Sequence, residues 1–213
     1  MMANQKALHT TVACLQNGNV KRLVERRMLE FEAVGRSSPQ RIFSELCFCI
    51  LTANFTAWRA IAIQRKVGGG FSTLSESGLA RKLRTLGYRF PNTRAGYIVE
   101  ARKHKNSLKK TLSSYGGDEN AMRDWLVKHV KGLGLKEASH FLRNIGFKNQ
   151  AIIDFHIVDV LVKYGFIRRP KTLSRKKYLA IEKVLAGIAG LLGLSLAELD
   201  LYLWYCETGQ VLK

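Results

Sequence analysis

Residues 131–156 read KGLGLKEASHFLRNIGFKNQAIIDFH. Two glycines, Gly132 and Gly134, bracket Leu133; Lys136 follows two positions later, and Asp154 stands in an otherwise apolar run eighteen residues beyond that lysine. Read from Val127, the pattern is V-x-x-V-x-G-L-G-x-x-x-A, with Val130 and Ala138 as its other fixed positions. Two helices joined by a tight hairpin need this arrangement. The glycines permit the turn and a close backbone approach, Leu133 plugs the hairpin, and Ala138 lets the second helix pack near the first. Amides at the second helix's N-terminus then form a phosphate site that requires no contact with bases. The plain alternative is an ordinary helical hairpin with a glycine turn.

The setting of this hairpin is strongly basic. Among 213 residues, 35 Lys+Arg stand against 16 Asp+Glu, a net charge of +19. Such an excess is the footprint of a partner that is a polyanion, and nucleic acid is the first candidate because basic surfaces bind phosphate backbones by releasing counterions. An anionic membrane surface is the other possibility, but no run of eighteen apolar residues exists to span one. The N-terminus lacks the apolar core of a signal peptide, so an intracellular location, cytoplasmic or nucleoid-associated, is expected. Cys14, Cys47, Cys49 and Cys206 are too few and scattered for a disulfide framework. Cys47 and Cys49 read as core fillers on different faces of a helix. No Cys/His pattern suits zinc or an iron–sulfur cluster, and no metal is expected.

Along the rest of the chain the pattern is helical, with glycine and Ser/Thr/Asn/Asp punctuation, three prolines and no convincing alternating strand. Ser38 and Pro39 predict an N-cap and first position for a helix running to Asn54. Thr56 predicts the next cap, with a stop at the glycines of 68–70. A short helix is expected near 75–86. Asn92 is read as the start of one long basic helix, NTRAGYIVEARKHKNSLKK. Asp118 begins the helix that leads into the hairpin, Ser174 caps a late helix, and Ser195 with Glu198 predicts a capping box. The reading is an all-α chain of about ten helices, 1–213 as one structural unit of two lobes, with the helix-hairpin-helix at about 118–146.

The hairpin, Lys136 and the segment IIDFH containing Asp154 and His156 together resemble the helix-hairpin-helix (HhH-GPD) superfamily of DNA glycosylases. In its bifunctional members a lysine stands at the place of Lys136 and an aspartate at that of Asp154. The family's loop before that aspartate usually carries a proline, where this chain has FKNQ. The stretch ILTANFTAWRAI at 50–61 is similar to the family's segment whose Asn or Gln fills the gap left by an extruded base, which implies that role for Asn54. The four-cysteine cluster of endonuclease III is missing. A compact chain with LGYRFPNTRAGYI at 86–98, Trp204 and a terminal Lys213 most resembles the second, compact family of 8-oxoguanine DNA glycosylase/AP lyases. That resemblance implies a base pocket made by Phe90, Trp204 and Lys213, with the terminal carboxylate of Lys213 on the base. It also implies phosphate contacts from Gly132, Leu133, Gly134, Lys128 and Lys131, with a monovalent cation possible at hairpin carbonyls.

What the resemblance implies for activity is the excision of 8-oxoguanine from double-stranded DNA by a monomer that needs no cofactor, followed by cleavage of the abasic strand. An amine that attacks the sugar displaces the base and remains attached as a Schiff base. An ordinary lysine, with a pKa near 10.4, is neutral in only about one molecule in a few thousand at pH 7, so the site is expected to lower that value for Lys136. Asp154 is expected to stabilise positive charge on the sugar. The plain alternatives are that Lys136 touches a phosphate and Asp154 caps the following helix. Rival functions are a glycosylase for oxidised pyrimidines and a noncatalytic hairpin DNA-binding protein. Oxidation converts N7 of guanine from acceptor to donor, and the sequence does not identify the acceptor that would read it.

Overall fold

A computed structural model describes the backbone of residues 2–213 and the side chains from Asn4 onward. Among the described residues there are thirteen α-helices and no strand. They are α1 (Met2–Gln16), α2 (Asn19–Arg36), α3 (Pro39–Thr52), α4 (Ala57–Val67), α5 (Gly70–Thr73), α6 (Glu76–Thr85) and α7 (Pro91–Ala101). The chain continues through α8 (Leu108–Ser113), α9 (Glu119–His129), α10 (Leu135–Asn144), α11 (Phe155–Lys163), α12 (Arg175–Leu192) and α13 (Leu196–Thr208).

Two apolar cores organise them. One is built by α3–α10, around Phe43, Leu46, Phe48, Phe71 and Phe141. The other joins the two ends of the chain, packing α1 and α2 against α11–α13 through Phe31, Leu161, Tyr202 and Leu203. The first core has α3 at its centre, buried on every side from Glu45 to Thr52, so Cys47 and Cys49 are both enclosed although they point apart. Burial pushes both thiols well above their ordinary range.

Helix starts follow local chemistry. The hydroxyls of Ser38, Ser75, Ser174 and Ser195 accept amide hydrogens of the third helical residue, and Asp118 accepts two, from Asn120 and Ala121. Thr56 occupies the cap position of α4 but its hydroxyl makes no capping bond. The expected long basic helix is not continuous: it starts one residue earlier, at Pro91, and ends at Ala101, followed by a 3-10 turn at Arg102–His104 and then α8. The reason is visible in the pattern. Between Ala101 and Leu108, both buried, the residues RKHKNS contribute nothing apolar to hold a helix on the core. Arg102 turns inward instead, donating to the carbonyls of Phe71 (2.8 Å) and Leu74 (2.6 Å).

Candidate active site

The hairpin between α9 and α10 is the first positioning device. Leu133 is buried in the turn and donates its N–H to the carbonyl of Val130 at 3.2 Å. Gly132 has φ +89°, and a side chain there would enter the ring of Tyr97. Gly134, with φ −92°, has no such backbone requirement. Its N–H donates to the Glu137 carboxylate at 3.2 Å, against which a β-carbon at Gly134 would press. The two glycines therefore serve different needs. With no side chain at its N-cap, α10 starts without a side-chain acceptor for its first amides, an arrangement suited to an anion.

Lys136 is the second residue of α10, partly exposed, with its ammonium 3.8 Å from Glu137. Asp154 is the N-cap of α11, and one carboxylate oxygen accepts the Ile157 N–H at 3.0 Å. The capping role is thus real, and it fixes the carboxylate in place while the second oxygen makes no hydrogen bond among the described residues. The segment before it, FKNQ and onward, is held without a proline. Glu119 accepts the N–H groups of Lys148 and Asn149, Glu182 accepts that of Ala151, and the Tyr178 hydroxyl donates to Ala151 O while accepting from Ile153. Glu182 also forms a two-pronged pair with the buried Arg123 of α9, at 2.6 and 2.9 Å. The lysine-bearing hairpin and the aspartate-bearing segment are clamped to one frame.

Lys136 and Asp154 open onto a cleft of about 820 Å³ whose walls come from both cores. Asn54, Trp204 and Lys213 line it too. Asn54 sits in the α3–α4 loop with φ +58°, the one non-glycine residue with positive φ among those described. Trp204 stands edge-on to His156 (4.9 Å, 87°), and its indole N–H is buried without a partner. Lys213 reaches across the cleft: its ammonium bonds both oxygens of Glu45 (2.8 and 3.0 Å) and Gln64 (2.6 Å), 4.3 Å above the Phe48 ring. Glu45 is 1% exposed, so the last residue of the chain is anchored in the opposite core.

Phe90 is not brought to this site. It precedes α7, 39% exposed, with the Arg89 guanidinium 5.0 Å from its ring, and it is not a wall of the cleft. Its place at the start of a helix, ahead of Pro91, turns it outward. Lys128 and Lys131 are exposed on the hairpin surface; Lys131 lies 3.8 Å from Glu100 and over the Tyr97 ring.

Sequence reasoning missed three inner residues of the cleft: His140, Arg143 and Asp200. Two of them were accessible by helical spacing, since His140 and Arg143 lie four and seven positions after Lys136 on one face of α10. Asp200 comes from α13 and pairs with Arg143. Burial raises the Asp200 carboxyl to about 6, opposed by Arg143 and aided by the charge of Asp154. Trp58 and Phe155 also line the cleft, 64% and 80% exposed; large exposed aromatics are what base stacking uses.

The chain is similar to known proteins over most of its length. The family model for 8-oxoguanine DNA glycosylase (Ogg-HhH) matches residues 24–194. An 8-oxoguanine DNA glycosylase/AP lyase of Korarchaeum cryptofilum is 55% identical over 93% of this chain and 94% of its own. Among solved structures, the 8-oxoguanine glycosylase/lyase of Methanocaldococcus jannaschii, in complex with a 15-mer DNA containing 8-oxoguanine, superposes with a TM-score of 0.94 at 48% identity. That match covers 97% of this chain and 100% of the other. The 8-oxoguanine DNA glycosylase of Thermotoga maritima gives 0.91 at 41% identity, covering 98% and 100%.

Proposed function

Because the chain belongs to the family of 8-oxoguanine DNA glycosylases, it is an 8-oxoguanine DNA glycosylase/AP lyase, and we propose that Lys136 is the amine that carries both reactions. The observation that supports this most is the meeting of Lys136 and Asp154, from two separate elements, in one cleft whose volume suits a small ligand. DNA docks by its backbone on the hairpin amides with Lys128 and Lys131, and the damaged nucleotide turns out of the stack into the cleft. Asn54, at the rim, enters the gap and offers donors and acceptors to the orphan base. Trp204 supplies a stacking face inside.

The Lys136 amine attacks C1′ and the glycosidic bond breaks, its electron pair leaving with the base. Positive charge that develops on the sugar is met by the fixed, open oxygen of Asp154. Opening of the ring gives an iminium between Lys136 and C1′, which acidifies the C2′ hydrogen. Loss of that proton and departure of the 3′ phosphate cut the strand, and hydrolysis then frees the lysine. We propose a monomer as the working unit, since one copy of the chain holds every group named in this scheme.

Borohydride reduction tests the assignment, because it freezes an iminium as a stable amine. With a duplex carrying one 8-oxoguanine, the native protein yields a covalent protein–DNA band and Lys136→Gln yields none while still binding DNA. A band of native intensity from Lys136→Gln would remove the lysine from the mechanism.

A further inference from the structure

One ring in the cleft has both of its nitrogens unpaired. His140 is 6% exposed and lines the cleft, yet neither of its ring nitrogens makes a hydrogen bond. Its ring is held edge-on against Phe48 (5.5 Å, 83°), and the backbone of Lys213 lies near it without closing a bond of full geometry. Buried polar groups in folded proteins are nearly always paired, and one without a protein partner, facing a cleft, is open to whatever enters it. Two nitrogens are left free here, beside the unpartnered indole N–H of Trp204.

The position says which part of the ligand. His140 follows Lys136 by four residues on α10, on the same face and about 6 Å deeper along the axis. Exposure falls along that face, from the partly exposed Lys136 to the enclosed His140. A nucleotide whose C1′ sits at the Lys136 amine therefore has its base, not its sugar or phosphate, at the depth of the imidazole. Resting on the function proposed above, we propose that His140 reads the extruded oxidised purine, meeting a polar edge of the base with a ring nitrogen.

The electrostatics favour reading over proton transfer. Burial, with the charges of Arg143, Lys136 and Lys213, holds the imidazole neutral well below its usual range. A ring so hard to protonate is a weak base, but it presents one N–H donor and one nitrogen acceptor in fixed directions. 8-Oxoguanine offers both kinds of complement on its edges, carbonyl oxygens and ring N–H groups.

The test separates contact with the base from everything else the cleft does, because an abasic duplex has no base to read. His140→Phe keeps an aromatic ring against Phe48 and removes both nitrogens; His140→Gln restores a donor and an acceptor. Each variant is assayed for excision of 8-oxoguanine and for nicking of a preformed abasic site, with thermal melting as a check on folding. The ratio of excision to nicking is expected to fall at least tenfold in His140→Phe and to recover in part in His140→Gln. A native ratio in His140→Phe makes His140 a core filler and overturns the proposal. Equal loss of both activities overturns it too, since the residue would then act on the amine or the frame. If His140→Phe does not fold, a native ratio in His140→Ala serves as the refutation. Failure of the native protein to excise 8-oxoguanine while nicking abasic DNA would instead strike the substrate assignment.

Discussion

Two residues of the cleft are held in states that cost free energy. Asn54 is the first: a left-handed backbone at a non-glycine residue costs on the order of 1 kcal/mol, least for Asn. Asn54→Gly is expected to leave stability unchanged or raise it by up to about 1 kcal/mol in urea unfolding, while excision falls about tenfold. Equal excision by the glycine variant would show that only the turn, not the amide, matters. Asp200 is the second. Its folded-state pKa of about 6 lies above the ordinary 3.8, so its contribution favours the folded state below about pH 4 and is lost as pH rises towards 6. Asp200→Asn removes this negative slope. Unfolding free energy measured from pH 4 to 6 should therefore rise more steeply, or fall less, in the variant than in the native protein, by up to about 1.4 kcal/mol per pH unit.

At the level of elements, the hairpin and the segment 147–154 decide where the lysine and aspartate sit. Gly132 cannot be replaced cheaply, because its φ of +89° and the Tyr97 ring both exclude a β-carbon. Gly132→Ala should lose about 2 kcal/mol or more of stability by denaturant unfolding and weaken DNA binding in a gel shift. If binding is native, the hairpin is not the phosphate site. Segment 147–154 shows how a missing proline is replaced. Its extended backbone is fixed by Glu119, Glu182 and Tyr178, which receive or donate the hydrogen bonds that a helix or sheet would have used. The hairpin motif and IIDFH could be read in one dimension because each is local. These three partners come from α9 and α12, and nothing in the local spacing announces them.

The whole molecule is a cleft between two cores under a large positive charge. Lys213 ties the end of the chain to Glu45 and Gln64 of the first core, so the cleft wall it forms is braced from the far side. In the function proposed above, charge is the term that brings DNA to this cleft. Binding should weaken steeply with salt, and Lys128→Gln should reduce the slope of log K against log salt by about one at constant sequence preference. A native slope would take Lys128 off the phosphate path. The aromatic Phe90 belongs to the same scale, since its outward position follows from how α7 leaves the preceding turn and not from the residue itself.

Periodicity, caps and the G-L-G spacing were enough to read an all-α chain and the hairpin, because those features depend on neighbours a few residues apart, whereas Lys136, Asp154 and Asn54 were singled out by the resemblance to the glycosylase superfamily. The broken helix after Ala101 was legible only in hindsight, where a basic run interrupts the apolar stripe. His140 and Arg143 share the face of Lys136, but a periodic position does not say whether a polar side chain is solvated or enclosed. That was settled by the packing of α10 between the two cores. The pairs Arg143–Asp200, Arg123–Glu182 and Lys213–Glu45 join residues 57, 59 and 168 positions apart. Such pairs leave no local trace, because they exist only once distant segments have excluded water from between them.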